Sequence, residues 1–300
     1  MMKKKLVIAL LGLSVVGLSA CNSDSKEKPV VVTPESVPEE SHAVADEVIA
    51  TQREALEANT NEKGYGPQSP RNIDDLYGES PILFTASLPA EDMDLCNIHF
   101  HENAEHQGGE FTEFAGNGDG HGYGSGYKYS GSLTEAELTA TTEDVCPSDH
   151  GSLAPGATIE VHYVHSTAQV NPGPTLGSCL SDSIGNPQLR VETQVYVLVN
   201  DDEALDFANL TAHSKATGKN QALNIPVDTG IPITYTGSTT GPGYNEEGSP
   251  FQVSWSVRPQ VAKVNIKSVG NWCKGNVFEE DHAHGVRNLV QNPKLLSTIN

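Results

Sequence analysis

From Gly64 onward glycine and proline cut the chain into short apolar or alternating runs, and this punctuation leaves little room for a helical bundle. The segments 95–101, 158–165, 191–200, 231–235, 251–257 and 261–269 carry the β-branched and aromatic residues of strands and are bounded by Gly, Pro, Asn and Asp. Only 41–59, free of Gly and Pro, places Val44, Val48, Ala55 and Leu56 near helical spacing, so one short helix is expected ahead of the strands. No internal repeat appears, and no Pro/Ser-rich break follows Gly64. With 37% hydrophobic residues in 300, the chain can bury a sizeable core. The expectation is a mainly β protein: one domain over 61–300, built on a central twisted, mostly antiparallel sheet with short peripheral helices.

The start of the chain has a different texture. Residues 1–5 are basic, 6–18 are apolar but too few for a stable membrane span, and Leu18-Ser19-Ala20-Cys21 puts small residues before a cysteine. This resembles a bacterial lipoprotein signal over residues 1–20. The resemblance implies that Cys21 is the lipidated N-terminus in the periplasm. Asn22, in place of the aspartate that retains such proteins on the inner membrane, implies anchoring to the outer membrane. Within 21–60, the Pro-, Ser- and Glu-rich stretch to residue 40 reads as a flexible tether ahead of the helix. Cys96, Cys146, Cys179 and Cys273 are then an even set in an oxidising compartment, fit for two disulfides with three pairings open.

Charge narrows the partners. Against 18 Lys and Arg stand 39 Asp and Glu, a net charge of −21 that deepens when Lys3, Lys4 and Lys5 leave, so nucleic acid and anionic lipid are repelled. The glycine-rich interval 116–131 lacks the strand-to-helix context of a dinucleotide loop. Nothing in the sequence sets an oligomeric state.

The chemistry sits in the histidines. His99 and His101 are two residues apart in a strand-like run, so their side chains share one face, and two imidazoles can converge on one ion. A third ligand is expected from 158–165, where Glu160 and His162 share a face; His165, on the opposite one, is the alternative. Asn97 and Glu160 each stand two residues before a candidate ligand, the position of a group that orients a ring by accepting its N–H. Three neutral imidazoles leave a fourth tetrahedral position for water, whose pKa drops to about 7 on zinc. Zn2+ is the expected ion, with Co2+ or Cd2+ as substitutes.

These residues resemble a known family. His99 to His106, with Glu110 beyond, is similar to the His-x-His-x-x-x-Glu-His signature of δ-class carbonic anhydrases and their bacterial relatives, and Glu160 to Ser166 resembles that family's second block. A weaker likeness to α-class carbonic anhydrases runs through Gln68-Ser69-Pro70-Arg71-Asn72-Ile73, Gly237-Ser238-Thr239-Thr240-Gly241-Pro242 and Val253-Ser254-Trp255-Ser256-Val257. The resemblance implies an α-carbonic-anhydrase-like domain that hydrates carbon dioxide reversibly to bicarbonate. It assigns His99, His101 and His162 to the metal, Asn97 and Glu160 to ligand orientation, and Thr239 or Thr240 to the hydrogen bond from hydroxide. Glu105, or Glu110, would polarise that threonine. Val164, Val197 and Trp255 would line an apolar pocket for carbon dioxide. The leucine expected between Ser238 and Thr239 is missing, and 73–95 holds no histidine to shuttle protons. His106 is expected to make a structural hydrogen bond, His121 is either a distant proton carrier or an exposed bystander, and the histidines of Asp281-His282-Ala283-His284 are either surface residues or a second weak metal site.

Two rivals remain. A cupin-type oxygenase or isomerase fits the spacing His99-x-His101-x-x-x-Glu105 but lacks the flanking glycines and would need Glu105 as a ligand. A non-catalytic periplasmic zinc-binding lipoprotein would usually carry a dense His/Asp run, absent here.

Overall fold

The computed structural model describes residues 43–239 and 246–300; the export segment, Cys21, the tether and Thr240 lie outside them. Six strands form the central sheet: β1 (Asp94–Glu102), β2 (Thr158–Ser166), β3 (Leu189–Val199), β4 (Ile233–Gly237), β5 (Val253–Val257) and β6 (Ala262–Asn265). Their order is β1-β2-β3-β5-β4, with β6 also paired to β3. The β1–β2, β2–β3 and β5–β4 ladders are antiparallel, whereas β5 and β6 each run parallel to β3, so the sheet is mixed.

Every residue of β2 is buried, which places this strand at the centre of two packed faces. One face carries Ile98, Phe100, Ile159, Val161, Tyr163 and Tyr196 into a core closed by Phe207 and Trp272. The other carries the histidines, with Val164, Val191, Val195, Tyr235 and Trp255 around them. Full burial on both sides explains why these strands are apolar beyond simple alternation.

Among the described residues three α-helices flank the sheet: α1 (Asp46–Thr60), the single turn α2 (Phe207–Leu210) and α3 (Ile266–Cys273). Helix α1 lies where the expected helix does; of the expected stripe Leu56 is buried, alongside Ile49, while Val48 is exposed. Leu56 packs on Val290, Leu295 and Leu296, tying α1 to the C-terminal segment. The strand expected over 261–269 is present as β6 only to Asn265; from Ile266 onward helix α3 replaces it. The Asn265 side chain accepts from Lys267 N–H and caps the helix. Thereafter Ile266, Val269, Trp272 and Cys273 are buried at helical spacing, so period, not β-propensity, decides.

Two disulfides settle the cysteine pairing: Cys96–Cys179 and Cys146–Cys273. Arg71, fully buried, anchors the chain end by donating to the carbonyls of Ser297, Asp75 and Tyr77. Among the described residues no helix is long and apolar enough to cross a membrane.

Candidate metal centre

The antiparallel register of β1 and β2 sets His99 directly opposite His162, and His101 opposite Glu160. Strand periodicity turns His99 and His101 to the same side. The three rings meet with centroids 4.9–5.3 Å apart, and their nearest nitrogens lie within 4.8 Å of one another. All three are buried.

Each ring has its other nitrogen committed. His99 Nδ1 lies 2.6 Å from Asn97 Oδ1, His101 Nδ1 is 2.8 Å from the Gly285 carbonyl, and His162 Nε2 is 2.7 Å from Glu160 Oε1. Those partners are acceptors, so the committed nitrogens carry the hydrogens and the lone pairs on His99 Nε2, His101 Nε2 and His162 Nδ1 face the common centre. Burial, and then the neighbouring imidazoles, hold His99 well below the usual histidine range. Burial lowers His101 to about 4. Both rings are therefore neutral at neutral pH, with a lone pair to offer a cation.

The donor set fits zinc. Two nitrogens on a tetrahedral zinc would stand about 3.3 Å apart, and His99 Nε2 and His162 Nδ1 are 3.2 Å apart. Two lone pairs this close repel each other unless a cation lies between them.

Glu160 is completely buried, which alone would raise its pKa, yet His106 and His162 hold it well below the usual carboxylate range. Its Oε1 takes both rings, at 2.7 Å each, and its Oε2 accepts the His106 main-chain N–H at 3.1 Å. His106 Nε2 continues to Tyr235 Oη at 2.7 Å, and Tyr235 Oη donates to Ser69 Oγ at 3.1 Å. His106, Glu160 and His162 also gather closely enough to suggest a second ion. Their facing atoms are already joined by hydrogen bonds, so this is a polar network rather than a vacant ligand set.

Beside the imidazoles a small pocket opens, walled by Ser69, Pro70, Ser238, Thr239 and Trp255, with Glu105 and Arg287 at its base. Glu105 lies 3.8 Å from His101 and 3.9 Å from His162, and its Oε1 accepts the Arg287 main-chain N–H at 2.9 Å. Thr239 lines the same pocket. Glu110 lies elsewhere, exposed and accepting from Val261 N–H. Of the expected apolar wall, Trp255 lines the pocket; Val164 and Val197 are buried in the sheet and are not among its lining residues. His165 is buried with Nδ1 on the Tyr163 carbonyl, apart from the cluster. His121 is exposed.

Two features of the site, Gly285 and Arg287, lie beyond the sequence signals, and a third, His284, comes from the segment 281–284 noted there. Gly285 orients His101 through a main-chain carbonyl, which no side-chain motif encodes. Arg287 donates to the carbonyls of Ser69 and Glu247, bracing the pocket from a distant segment. His284 stands with its ring 5.9 Å from those of His99 and His101 and its Nε2 2.7 Å from Glu280. The Gln68-Ser69-Pro70 motif did mark one end of this scaffold.

A family model of delta carbonic anhydrases matches residues 90–268, which span both ligand strands and Trp255. The chain belongs to the delta carbonic anhydrase family. As a carbonic anhydrase it acts on carbon dioxide and bicarbonate, and the family implies a metal, for which the buried histidine cluster is the site at hand. No curated protein matches the chain. Among solved structures, an alpha-carbonic anhydrase of Photobacterium profundum is similar at 17% identity, covering 79% of this chain and 93% of its own, with a TM-score of 0.26. A hyperthermostable carbonic anhydrase identified from an active hydrothermal vent chimney is similar at 13% identity, covering 77% and 87% respectively, also at 0.26.

Proposed function

We propose that this carbonic anhydrase is a zinc enzyme whose ion is held by His99, His101 and His162. The observation that carries this reading is the convergence of three lone pairs whose partner nitrogens are fixed by Asn97, Gly285 and Glu160. Zinc in a three-imidazole site supplies Lewis acidity, which makes hydroxide available near neutral pH.

The chain's own residues supply the rest. His99 and His101 stay neutral, so they bind a cation without first losing a proton. Trp255 and Pro70 give the pocket an apolar wall suited to carbon dioxide. Thr239 and Glu105 line the same pocket, which supports the roles the family resemblance gives them: the threonine would orient the attacking oxygen, and Glu105, held by Arg287 N–H, would accept the threonine hydroxyl. Water and carbon dioxide go to bicarbonate and one proton, the proton leaving to solvent. Glu105, the extra ligand a cupin would need, lies outside the ligand cluster, which disfavours that rival.

The lipoprotein signal in the sequence supports a periplasmic enzyme anchored through Cys21 to the outer membrane. Cys21→Ser should move the protein from the membrane to the soluble fraction; retention in the membrane removes the anchor. The metal and its role are tested by elemental analysis and carbon dioxide hydration in His99→Ala, His101→Ala and His162→Ala. Each is expected to lose zinc and activity together, and full retention of both would end the assignment.

A further inference from the structure

The pairing of β1 with β2 slips by one residue between Leu95 and Asn97, leaving Cys96 as an unpaired bulge directly ahead of the first ligand. A bulge re-aims the side chains beyond it. Here they are Asn97, His99 and His101. Three links hold this bulge to the loop that ends at Cys179. Gly173 N–H donates to the Cys96 carbonyl at 3.0 Å, Asn97 Nδ2 donates to the Gly173 carbonyl at 3.0 Å, and the Cys96–Cys179 disulfide closes the unit. Ser166 Oγ at the end of β2 donates to the Cys179 carbonyl at 2.7 Å.

The Gly173 carbonyl has a chemical consequence. An asparagine amide offers a donor at one end and an acceptor at the other, and a 180° flip exchanges them. With Nδ2 committed to Gly173, Oδ1 must face His99, which keeps the hydrogen on His99 Nδ1 and the lone pair on Nε2. Flipped, the amide would present its donor to Nδ1 and leave the hydrogen on the nitrogen that faces the metal. We propose that the Cys96–Cys179 disulfide is a positioning element of the metal centre, acting through Gly173 and Asn97 to select the metal-binding tautomer of His99. This rests on the reading of His99 as a zinc ligand.

The second disulfide is the internal control. Cys146–Cys273 joins the strand Val145–Ser148 to α3 in the opposite core and closes 127 residues against 83 for Cys96–Cys179. Loop-closure entropy alone therefore makes its removal at least as damaging to global stability. The experiment measures zinc affinity by chelator competition, alongside thermal midpoints, in the full chain. Cys96→Ala/Cys179→Ala should weaken zinc binding about 10–100-fold, the usual cost of losing a ligand-orienting contact. Cys146→Ala/Cys273→Ala should keep wild-type zinc affinity despite its lower midpoint. In an Asn97→Ala background, removing Cys96–Cys179 should weaken binding no further, because both changes act on one link. Equal losses from the two disulfides, no loss from Cys96–Cys179, or an additive loss with Asn97→Ala overturns the proposal. If the cysteine variant does not fold, Asn97→Leu keeps both disulfides and removes the side chain through which the loop acts on His99. It should weaken zinc, and unchanged affinity is fatal to the idea. A wild-type protein that binds no zinc removes the zinc assignment itself and this inference with it, whereas a zinc-binding wild type isolates the disulfide question.

Discussion

Glu160 carries more of the site than any other single residue. Its ionised carboxylate sits with no solvent exposure between His106 and His162, and it is tolerated there because both rings and a main-chain N–H converge on it. Glu160→Gln keeps the shape and removes the charge. Its amide can point a donor at His162 Nε2, so the tautomer that frees Nδ1 loses its advantage. Zinc affinity should fall about 10–100-fold, the range for ligand-orienting groups, with the midpoint lowered as well. Chelator competition reads the first effect, and unchanged affinity would show that Glu160 is structural only. Tyr235→Phe, one link further along at His106 Nε2, should leave zinc affinity near wild type while lowering stability by about 1–3 kcal/mol, the cost of leaving a buried polar group without its partner. A denaturant titration beside the same competition assay separates these two residues.

At the level of the strand, alternation along β2 decides between His162 and His165. The even-numbered side chains Glu160 and His162 face the cluster, while Val161 and Tyr163 enter the opposite core. His165 follows the odd set, buried, and burial lowers it to about 4 even though Glu192 nearby favours its charged form. Its unfolded value is near 6.5, so between pH 6.5 and 4 the unfolded chain binds a proton that the folded chain excludes. Stability attributable to this ring is complete above pH 6.5 and declines as pH falls toward 4. The decline amounts to at most about 3 kcal/mol for a shift of this size. His165→Leu should flatten the acid limb of a stability-versus-pH curve and leave zinc binding untouched. A steeper acid limb, or lost zinc, contradicts this. Periodicity of two made the distinction visible in the sequence. The same period misled only over the second half of 261–269: Val264 lies in β6, but Ile266 and Val269 look like strand residues and are helical. The Asn265 cap and the 3.6-residue spacing of Ile266, Val269 and Trp272 outweigh their β-propensity.

Across the molecule, what was legible from the sequence follows how locally each feature is encoded. The His99 and His101 pair, Asn97 and Glu160 all act within two residues of their partners, and the structure places them where strand spacing predicts. Gly285, Arg287 and Arg71 act through main-chain atoms far away in sequence, at His101, Ser69 and Ser297, and no short motif announces such contacts. The parallel placement of β5 against β3 was equally silent, because strand direction depends on the path of the connections. Cysteine pairing belongs to the same class: an even count implied two bonds, and only the folded chain selects Cys96–Cys179 and Cys146–Cys273. Those bonds span 83 and 127 residues, long enough for the chain-entropy model to assign each about 4–5 kcal/mol. A domain's whole stability is typically only about 5–15 kcal/mol. Reduction of both bonds should therefore unfold the domain at moderate temperature. Denaturant midpoints measured with and without a strong reductant test this, and coincident curves would show that burial of the two core clusters suffices without cross-links. Expression in a reducing cytoplasm should accordingly yield little folded protein, whereas an oxidising compartment should yield a zinc-competent domain.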